Sequence, residues 1–129
     1  MIHFDGCKQL ESCTDIIEIE SNGDVWDLHN SCEFVEFTNK IPDKRLILTW
    51  NYYDYNSGLV SKNIFIILSC VTMLKITPRD SDMPSDEDTC LERLIYYADN
   101  NKLIFEFRGG VFIEVICTEL SFKTIVVSH

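Results

Sequence analysis

Short apolar runs separated by turn-prone residues recur along the chain, and their composition and spacing are typical of β-strands. Residues 33–38 (EFVEFT) and 45–50 (RLILTW) predict two strands joined by a turn. Residues 64–71 (IFIILSCV) predict a strand that is buried on both faces. Residues 72–77 (TMLKIT) alternate between apolar and polar, so the chain either continues as a strand or kinks there.

The C-terminal part contains the clearest turn signal. Residues 102–107 and 111–118 flank the sequence Arg-Gly-Gly, which predicts a β-hairpin. Residues 124–127 predict a last strand at the edge of a sheet. The hairpin makes a mainly antiparallel arrangement the natural expectation.

Residues 86–98 support two interpretations. Apolar residues recur there at helical spacing: Leu91, Leu94, Ile95 and Ala98. Ser85, with Asp88 three positions later, resembles a helix N-cap, so a short helix over residues 86–98 is predicted. The competing interpretation makes residues 94–97 (LIYY) a strand.

The predicted fold is therefore mainly β, or α+β at most. It consists of an antiparallel sheet, a β-sandwich or a half-barrel, with one or two short helices. A chain of 129 residues sustains one hydrophobic core, so residues 1–129 are predicted to form a single domain. The content of 46% hydrophobic and 25% charged residues is ordinary for a globular protein and excludes a disordered chain.

The N-terminus lacks the basic and then apolar segments of a signal peptide. The longest apolar run, residues 64–71, is less than half the length of a membrane span. A cytoplasmic protein that does not enter membranes is expected.

The six cysteines are expected to be reduced thiols. No secretion signal is apparent, and the apolar core is large enough for the chain to fold without disulfides. Cys70 and Cys117 lie in apolar runs and are predicted to be buried. There is no CxxC pair and the three histidines are scattered, so no zinc site, other metal or cofactor is predicted.

Charge is distributed unevenly along the chain. Residues 1–36 carry nine acids and one base, residues 37–79 two acids and six bases, and residues 80–129 ten acids and four bases. The local balances of −8, +4 and −6 sum to the net charge of −10. Such a molecule is repelled by nucleic acid and by anionic membranes, so a basic protein is the expected partner.

The acidic residues are densest in RDSDMPSDEDTC, residues 79–90. An EF-hand loop that starts at Asp80 would need glycine at its sixth position and glutamate at its twelfth, where the chain has Ser85 and Leu91. The calcium interpretation therefore fails. Three interpretations remain: a looser cation site with oxygen ligands, a solvated surface loop, and a contact surface for a basic partner.

Four aromatic residues lie within six positions of the segment WNYYDY, residues 50–55. Strand alternation sends Trp50 and Tyr52 to one face and Tyr53 and Tyr55 to the other, so one pair is expected in the core. The opposite pair would be exposed beside Asp54, and exposed tyrosines are effective contacts in protein interfaces.

No signature of catalysis occurs in the chain. There is no GxSxG, HExxH or phosphate-binding glycine loop. Cys32 and His29 are close in sequence, but an exposed loop explains their spacing. The protein is therefore expected not to be an enzyme.

Three segments of the chain have a further resemblance. The pattern LIFEFRGGVFIEVICTEL, together with RLILTWNYYDY and KNIFIILSCVTMLKI, is similar to sequences of small cytosolic bacterial immunity proteins. These proteins are encoded beside polymorphic toxins, including those of contact-dependent growth inhibition, and neutralise the toxin domain by binding it. The resemblance covers residues 33–120 and assigns no individual functional residue.

The resemblance and the charge together predict an immunity protein that binds a basic, nuclease-type toxin domain. The expected contact surface consists of eight residues: Asp80, Asp82, Asp86, Glu87, Asp88, Tyr53, Asp54 and Tyr55. The alternatives are an acidic mimic of nucleic acid, a small adaptor without catalysis, and an enzyme or small-molecule binder, which would need a concave polar pocket.

Overall fold

The computed structural model describes residues 1–128. Strands make up 55% of the chain and helical turns 9%, which confirms the mainly β prediction. The strands are β1 (His3–Asp5), β2 (Glu18–Ser21), β3 (Asp24–Asp27), β4 (Cys32–Lys40), β5 (Arg45–Tyr53), β6 (Val60–Ser69), β7 (Met73–Thr77), β8 (Leu91–Tyr97), β9 (Lys102–Phe107), β10 (Phe112–Ile116) and β11 (Glu119–Val126). Short 3₁₀ turns lie at Ile41–Asp43, Ser85–Thr89 and Ala98–Asn100.

The strands form two large sheets and a separate β2–β3 hairpin. The five-stranded sheet has the order β1-β11-β6-β5-β4, and the four-stranded sheet has the order β7-β10-β9-β8. Neighbouring strands are antiparallel, except that β1 pairs with β11 in parallel. The hairpin predicted around Arg-Gly-Gly is the β9–β10 pair.

The two large sheets pack against each other as a β-sandwich. Trp50 of the five-stranded sheet lies 6.2 Å, between ring centroids, from Phe105 of the four-stranded sheet. Phe34 and Phe107 approach more closely, at 4.6 Å. Alternate residues of both sheets enter one buried cluster, as the two-residue period of a strand requires.

The chain passes from one sheet to the other at Cys70. β6 ends just before this residue, and β7 begins three positions later in the other sheet. Cys70 has a φ of 56°, in the left-handed region, which breaks the strand. The predicted kink is therefore present, but the prediction that Cys70 is buried is wrong, because the turn exposes it.

The prediction that residues 64–71 are buried on both faces is also wrong. Ile64, Ile66 and Leu68 are fully buried between the sheets, whereas Phe65 and Ile67 are half-buried on the outer face of the five-stranded sheet. Residues 64–68 are all apolar because the outer face of this sheet, like its inner face, carries apolar side chains there.

The predicted helix over residues 86–98 is wrong, and the competing strand is correct. Residues 85–89 form a 3₁₀ turn without a side-chain cap, and β8 follows. A bulge between Leu91 and Arg93 shifts the alternation by one residue. Leu91 and Leu94 therefore both face the core although they are three positions apart, which imitated helical spacing.

The last predicted strand extends further than expected and is not an edge. β11 lies between β6 and β1, because the N-terminal strand pairs with its outer side. Leu120 and Phe122 are buried in the core. The edges of the five-stranded sheet are β1 and β4.

Thiol reactivity tests the burial of the cysteines. All six cysteines are free, and Cys117 is buried, as predicted. Cys32 is buried as well, and burial raises the pKa of the Cys32 and Cys117 thiols to about 12. We expect exposed Cys13 and Cys70 to react with a thiol reagent in the native protein at least ~10-fold faster than Cys32 and Cys117. Six thiols should react after denaturation without reductant. Mass spectrometry of the partly labelled protein measures the order, and early labelling of Cys32 would contradict the packing.

Candidate functional site: an acidic edge

The acidic segment packs on the tip of the β9–β10 hairpin. Backbone hydrogen bonds join Asp80 N–H to the Gly109 carbonyl at 2.9 Å and Gly109 N–H to the Glu87 carbonyl at 3.2 Å. A Cβ atom at Gly109 would overlap the carboxylate of Asp88. The absence of a side chain at Gly109 therefore permits this close approach, whereas the left-handed conformation of the hairpin turn belongs to Gly110, with a φ of 93°.

Two arginines neutralise part of the acidic segment. Arg79 Nε donates to both carboxylate oxygens of Asp88, at 3.1 and 2.8 Å. Arg108 Nε lies 3.2 Å from a carboxylate oxygen of Glu87. These acids tolerate crowding because each has a cation within the chain.

The remaining acids of the segment face solvent. Asp80, Asp82 and Asp86 are exposed, and a side-chain oxygen of Asp80 accepts a hydrogen bond from Asp82 N–H at 2.9 Å. Asp80 also packs against Gly110 at the hairpin tip. The eight predicted contact residues thus include two acids, Glu87 and Asp88, whose charges are already paired.

The aromatic run follows the predicted alternation. Trp50 is fully buried, and Tyr52 packs edge-on against Trp26 with ring centroids 5.1 Å apart. Tyr53 lies on the other face, and Tyr55 is 99% exposed at the tip of the β5–β6 hairpin.

Asp54 and Tyr53 are held in place by local hydrogen bonds. A side-chain oxygen of Asp54 accepts from Asn56 N–H at 2.8 Å, which shapes the turn that projects Tyr55. The hydroxyl of Tyr53 donates to Glu33 at 3.0 Å. This bond to a carboxylate raises the pKa of Tyr53 above its ordinary value.

The structure connects the two predicted parts of the surface through β4. The 3₁₀ turn that carries Asp86 lies beside β4, and Glu33 of β4 binds Tyr53, next to Asp54 and Tyr55. We call these five residues the acidic edge. The sequence analysis did not include Glu33 in the contact surface, because this residue lies within a predicted strand. The feature that could have identified it is its charge at the first position of that strand.

A second acidic concavity lies in the N-terminal third. A cavity of about 440 Å³ has acidic walls formed by Glu11, Asp15 and Glu18. Its apolar lining includes Val25, which is 58% exposed. Lys8 and Arg93 lie 3.8 and 3.9 Å from acids of this region, so part of the charge is paired.

A cysteine–histidine contact is present, but its geometry does not activate the thiol. The sulfur that contacts His29 belongs to Cys90, 3.7 Å from Nδ1, rather than to Cys32. The same nitrogen lies 2.6 Å from the Leu91 carbonyl oxygen, to which it can only donate a proton. Nδ1 then has no lone pair to accept the thiol proton, and burial raises the pKa of Cys90.

Comparison with models of protein families, with curated proteins and with solved structures finds no match to this chain. Among residues 1–128, no group of three His, Cys, Asp or Glu side chains is arranged to hold a metal ion. Within the same residues, no helix has the length and hydrophobicity needed to cross a membrane. Function is therefore inferred from the surface itself.

The ion pairs predict that two neighbouring acids differ in their effect on stability. Asp88→Asn removes the ion pair with Arg79, in which one N–H is shared by both carboxylate oxygens, and should lower the free energy of unfolding by about 1 kcal/mol. Asp86→Asn, the matched control, alters an exposed and unpaired acid and should change stability by less than about 0.5 kcal/mol. Urea unfolding followed by tryptophan fluorescence measures both. Equal values for the two variants would show that the Arg79–Asp88 pair stabilises nothing.

Proposed function

We propose that the protein is a non-catalytic binding protein of the immunity type, which neutralises a basic bacterial toxin domain in the cytoplasm. The observation that carries the proposal is the acidic edge. Tyr55 is 99% exposed and follows Asp54 directly, Glu33 accepts a hydrogen bond from the nearby Tyr53, and the turn that carries Asp86 contacts the same strand β4. An exposed aromatic ring within carboxylates suits a partner that presents lysine or arginine next to an apolar pocket.

The two kinds of residue have different roles in the proposal. Carboxylates attract a basic partner over a Debye length, about 8 Å at physiological salt, and so raise the association rate. Tyr55 supplies apolar area with few rotatable bonds, so ordering it on binding costs little conformational entropy. The hydrogen bond between Tyr53 and Glu33 fixes one carboxylate before the partner arrives.

The paired acids act indirectly in this proposal. Glu87 holds the 3₁₀ turn against the hairpin through Arg108, and Asp88 joins the same turn to Arg79, which follows β7, so the two ion pairs position Asp86. A nuclease cleft is a suitable partner surface because its lysines and arginines evolved to bind phosphates. The thiol of Cys90, held protonated beside His29, agrees with a role that needs no nucleophile.

The test uses the protein encoded by the gene next to that of this chain, expressed as its C-terminal domain. We expect the two proteins to co-purify as a complex, the neighbouring domain to stop growth when expressed alone, and this chain to restore growth. Raising salt from about 0.05 to 0.5 M should lower the association rate at least ~10-fold. A neighbouring protein that is neither toxic nor bound would overturn the proposal.

A further inference from the structure

The free edge of the five-stranded sheet has features that the proposed function does not use. β4 forms this edge, and no strand of residues 1–128 pairs with its outer side. Natural edge strands are commonly short or blunted by charges, prolines or bulges, because their unpaired backbone groups otherwise pair with another chain. β4 has nine residues, and its bulge between Phe34 and Glu36 leaves Glu36–Lys40 as a regular strand. We call residues 35–41, which include the turn residue Ile41, the open edge.

Three apolar side chains are exposed along the open edge. Val35, Phe37 and Ile41 expose 51%, 36% and 74% of their surface. Exposed apolar side chains beside unpaired backbone groups are typical of an edge to which another strand is added.

The backbone hydrogen bonds at the start of β4 show which groups of the open edge are free. Tyr53 N–H donates to the carbonyl of Ser31, which lies directly opposite, at 3.4 Å. Hydrogen-bonded and non-bonded pairs alternate along an antiparallel ladder, so every second residue of β5 counted from Tyr53 bonds to β4. Beyond the bulge, the β4 residues opposite these positions are Glu36, Thr38 and Lys40. The backbone groups of Phe37 and Asn39 therefore point away from the sheet.

Two cations at the open edge lack an acid. Lys40 of β4 and Arg45 of β5 are directly opposite each other on the same face of the sheet. Like charges in this position repel each other. Neither side chain forms an ion pair among residues 1–128, and neither does the exposed Glu36. An acid from another molecule would offset the two cations best if it lay on the open side of Lys40.

We propose that the open edge pairs with the open edge of a second copy of this chain, in antiparallel direction and centred on Thr38. Phe37 of each copy then lies opposite Asn39 of the other copy. Each of these pairs exchanges backbone hydrogen bonds, because the free groups of both residues point across the new interface. The two five-stranded sheets become one continuous sheet.

The same register matches the side chains. Glu36 of one copy lies opposite Lys40 of the other, with Arg45 next to that lysine, so each pair of cations gains an acid. Val35 lies beside Ile41 of the second copy, which covers exposed apolar surface on both copies. Moving the centre of the pair by one residue in either direction separates Glu36 from Lys40, so charge selects this register.

Other charges near the interface leave this complementarity in place. Residues 33–45 contain three acids and three bases, so the segment is neutral although the chain carries −10. The turn of the second copy brings Asp43 and Lys44, an acid and a base, to Glu33. Asp86, on the 3₁₀ turn that contacts β4, adds one acid without an ion pair. A nearly neutral edge suits a second copy of this chain better than the basic partner of the acidic edge.

The interface is small. Glu36–Lys40 spans about 17 Å of strand, which predicts a weak dimer. β1 forms the opposite edge of the sheet and takes no part in the contact. One end of the contact reaches Glu33 of the acidic edge, whereas Tyr55 lies in the β5–β6 hairpin, one strand further into the sheet.

Charge reversal at the two ends of the contact tests the proposal. We expect the wild-type protein to dimerise with a dissociation constant of about 100 μM, measured by sedimentation in about 0.15 M salt. Lys40→Glu places two acids opposite each other at both ends of the dimer, and Glu36→Lys places two lysines there. Each variant alone should dimerise at least ~10-fold more weakly than wild type. A mixture of the two variants restores opposite charges in the heterodimer and should dimerise with an affinity within about 3-fold of wild type.

A proline tests the backbone pairing separately. Asn39→Pro removes the N–H that points to the second copy but no hydrogen bond between β4 and β5, so it should dimerise at least ~10-fold more weakly than wild type. Asn39→Ala, the matched control, keeps this N–H and should dimerise as wild type does. Lys123→Glu, on β11 towards the other side of the sheet, should also leave dimerisation unchanged. Thermal unfolding verifies that each variant is folded, and if Asn39→Pro does not fold, the mixture of charge variants decides.

The proposal is overturned by a wild-type protein that is monomeric at about 1 mM, which would leave the open edge to another kind of partner. A mixture of the folded charge variants that stays monomeric would also overturn it. So would a folded Asn39→Pro variant that dimerises as wild type does, or a loss of dimerisation in Lys123→Glu, because either result would place the contact elsewhere.

Discussion

Phe105→Ala should lower the free energy of unfolding by about 3–5 kcal/mol, one of the largest stability effects expected for a single substitution of this chain. Phe105 is fully buried at the centre of β9 and packs against Trp50 of the opposite sheet. Its removal deletes apolar contacts on both sides of the sandwich and leaves a cavity that the rigid strands close only in part. The melting temperature should fall by about 10 °C or more.

The matched control is the preceding residue of the same strand. Ile104 points to the outer face of the four-stranded sheet and is half-buried, so Ile104→Ala should cost about 1 kcal/mol. Urea denaturation of both variants, analysed with a common m-value, gives the comparison. If Ile104→Ala proved the more damaging substitution, the register of β9 would be shifted by one residue and the two faces of its sheet exchanged.

Local patterns predicted the strands well, because each strand carries its own alternation. The segment 45–50 lies within β5, and residues 102–107 coincide with β9. Counting by two also predicted that Trp50 and Tyr53 lie on opposite faces of β5, whereas Tyr55 lies beyond the end of the strand, in the hairpin turn. The hairpin at Gly109 and Gly110 followed from turn chemistry alone. In all of these, the determining residues are close together in sequence.

The failures arose where distant parts of the chain set the structure. The bulge after Leu91 places Leu91 and Leu94 on one face, and it exists because β8 must pair with β9. The path of the chain at Cys70 depends on a second sheet being present to receive β7. Neither the bulge nor the change of sheet can be predicted from an apolar run alone, because both depend on the strand with which the run pairs.

The acidic segment shows the same limit for the candidate site. Its carboxylates were visible in the sequence, whereas the pairing of Glu87 with Arg108 depends on how the hairpin tip meets the segment. Glu33 belongs to the site only because β5 pairs with β4, which places Tyr53 within hydrogen-bond distance of Glu33. Sequence reasoning therefore found the charges and the aromatic ring, and the fold decided which of them are free to contact a partner.

The different physical effects of charge and aromatic area make the acidic edge testable residue by residue. Charges at the rim of an interface act mainly before contact, by steering, so their loss slows association. A ring that becomes buried in the complex acts after contact, so its loss speeds dissociation. Asp86 and Tyr55 are the cleanest representatives, because both are exposed and their side chains have no ion pair or ring partner among residues 1–128.

Tyr55→Ala should therefore weaken binding of the proposed toxin partner by about 2 kcal/mol or more, equivalent to about 30-fold, almost entirely through faster dissociation. Asp86→Asn should instead slow association and reduce its dependence on salt, with a smaller change in affinity. Asn56→Ala, in the same hairpin turn as Tyr55, is the control and should alter neither rate. Surface plasmon resonance at two salt concentrations separates the rates, and thermal unfolding should show equal stability for all three variants, because each substitution removes only exposed atoms.

If Tyr55→Ala and Asn56→Ala dissociated at the wild-type rate while the complex still formed, the hairpin tip would lie outside the interface. The acidic concavity bounded by Glu11, Asp15 and Glu18 would then be the surface to test next, since it offers carboxylates around apolar side chains in the same way.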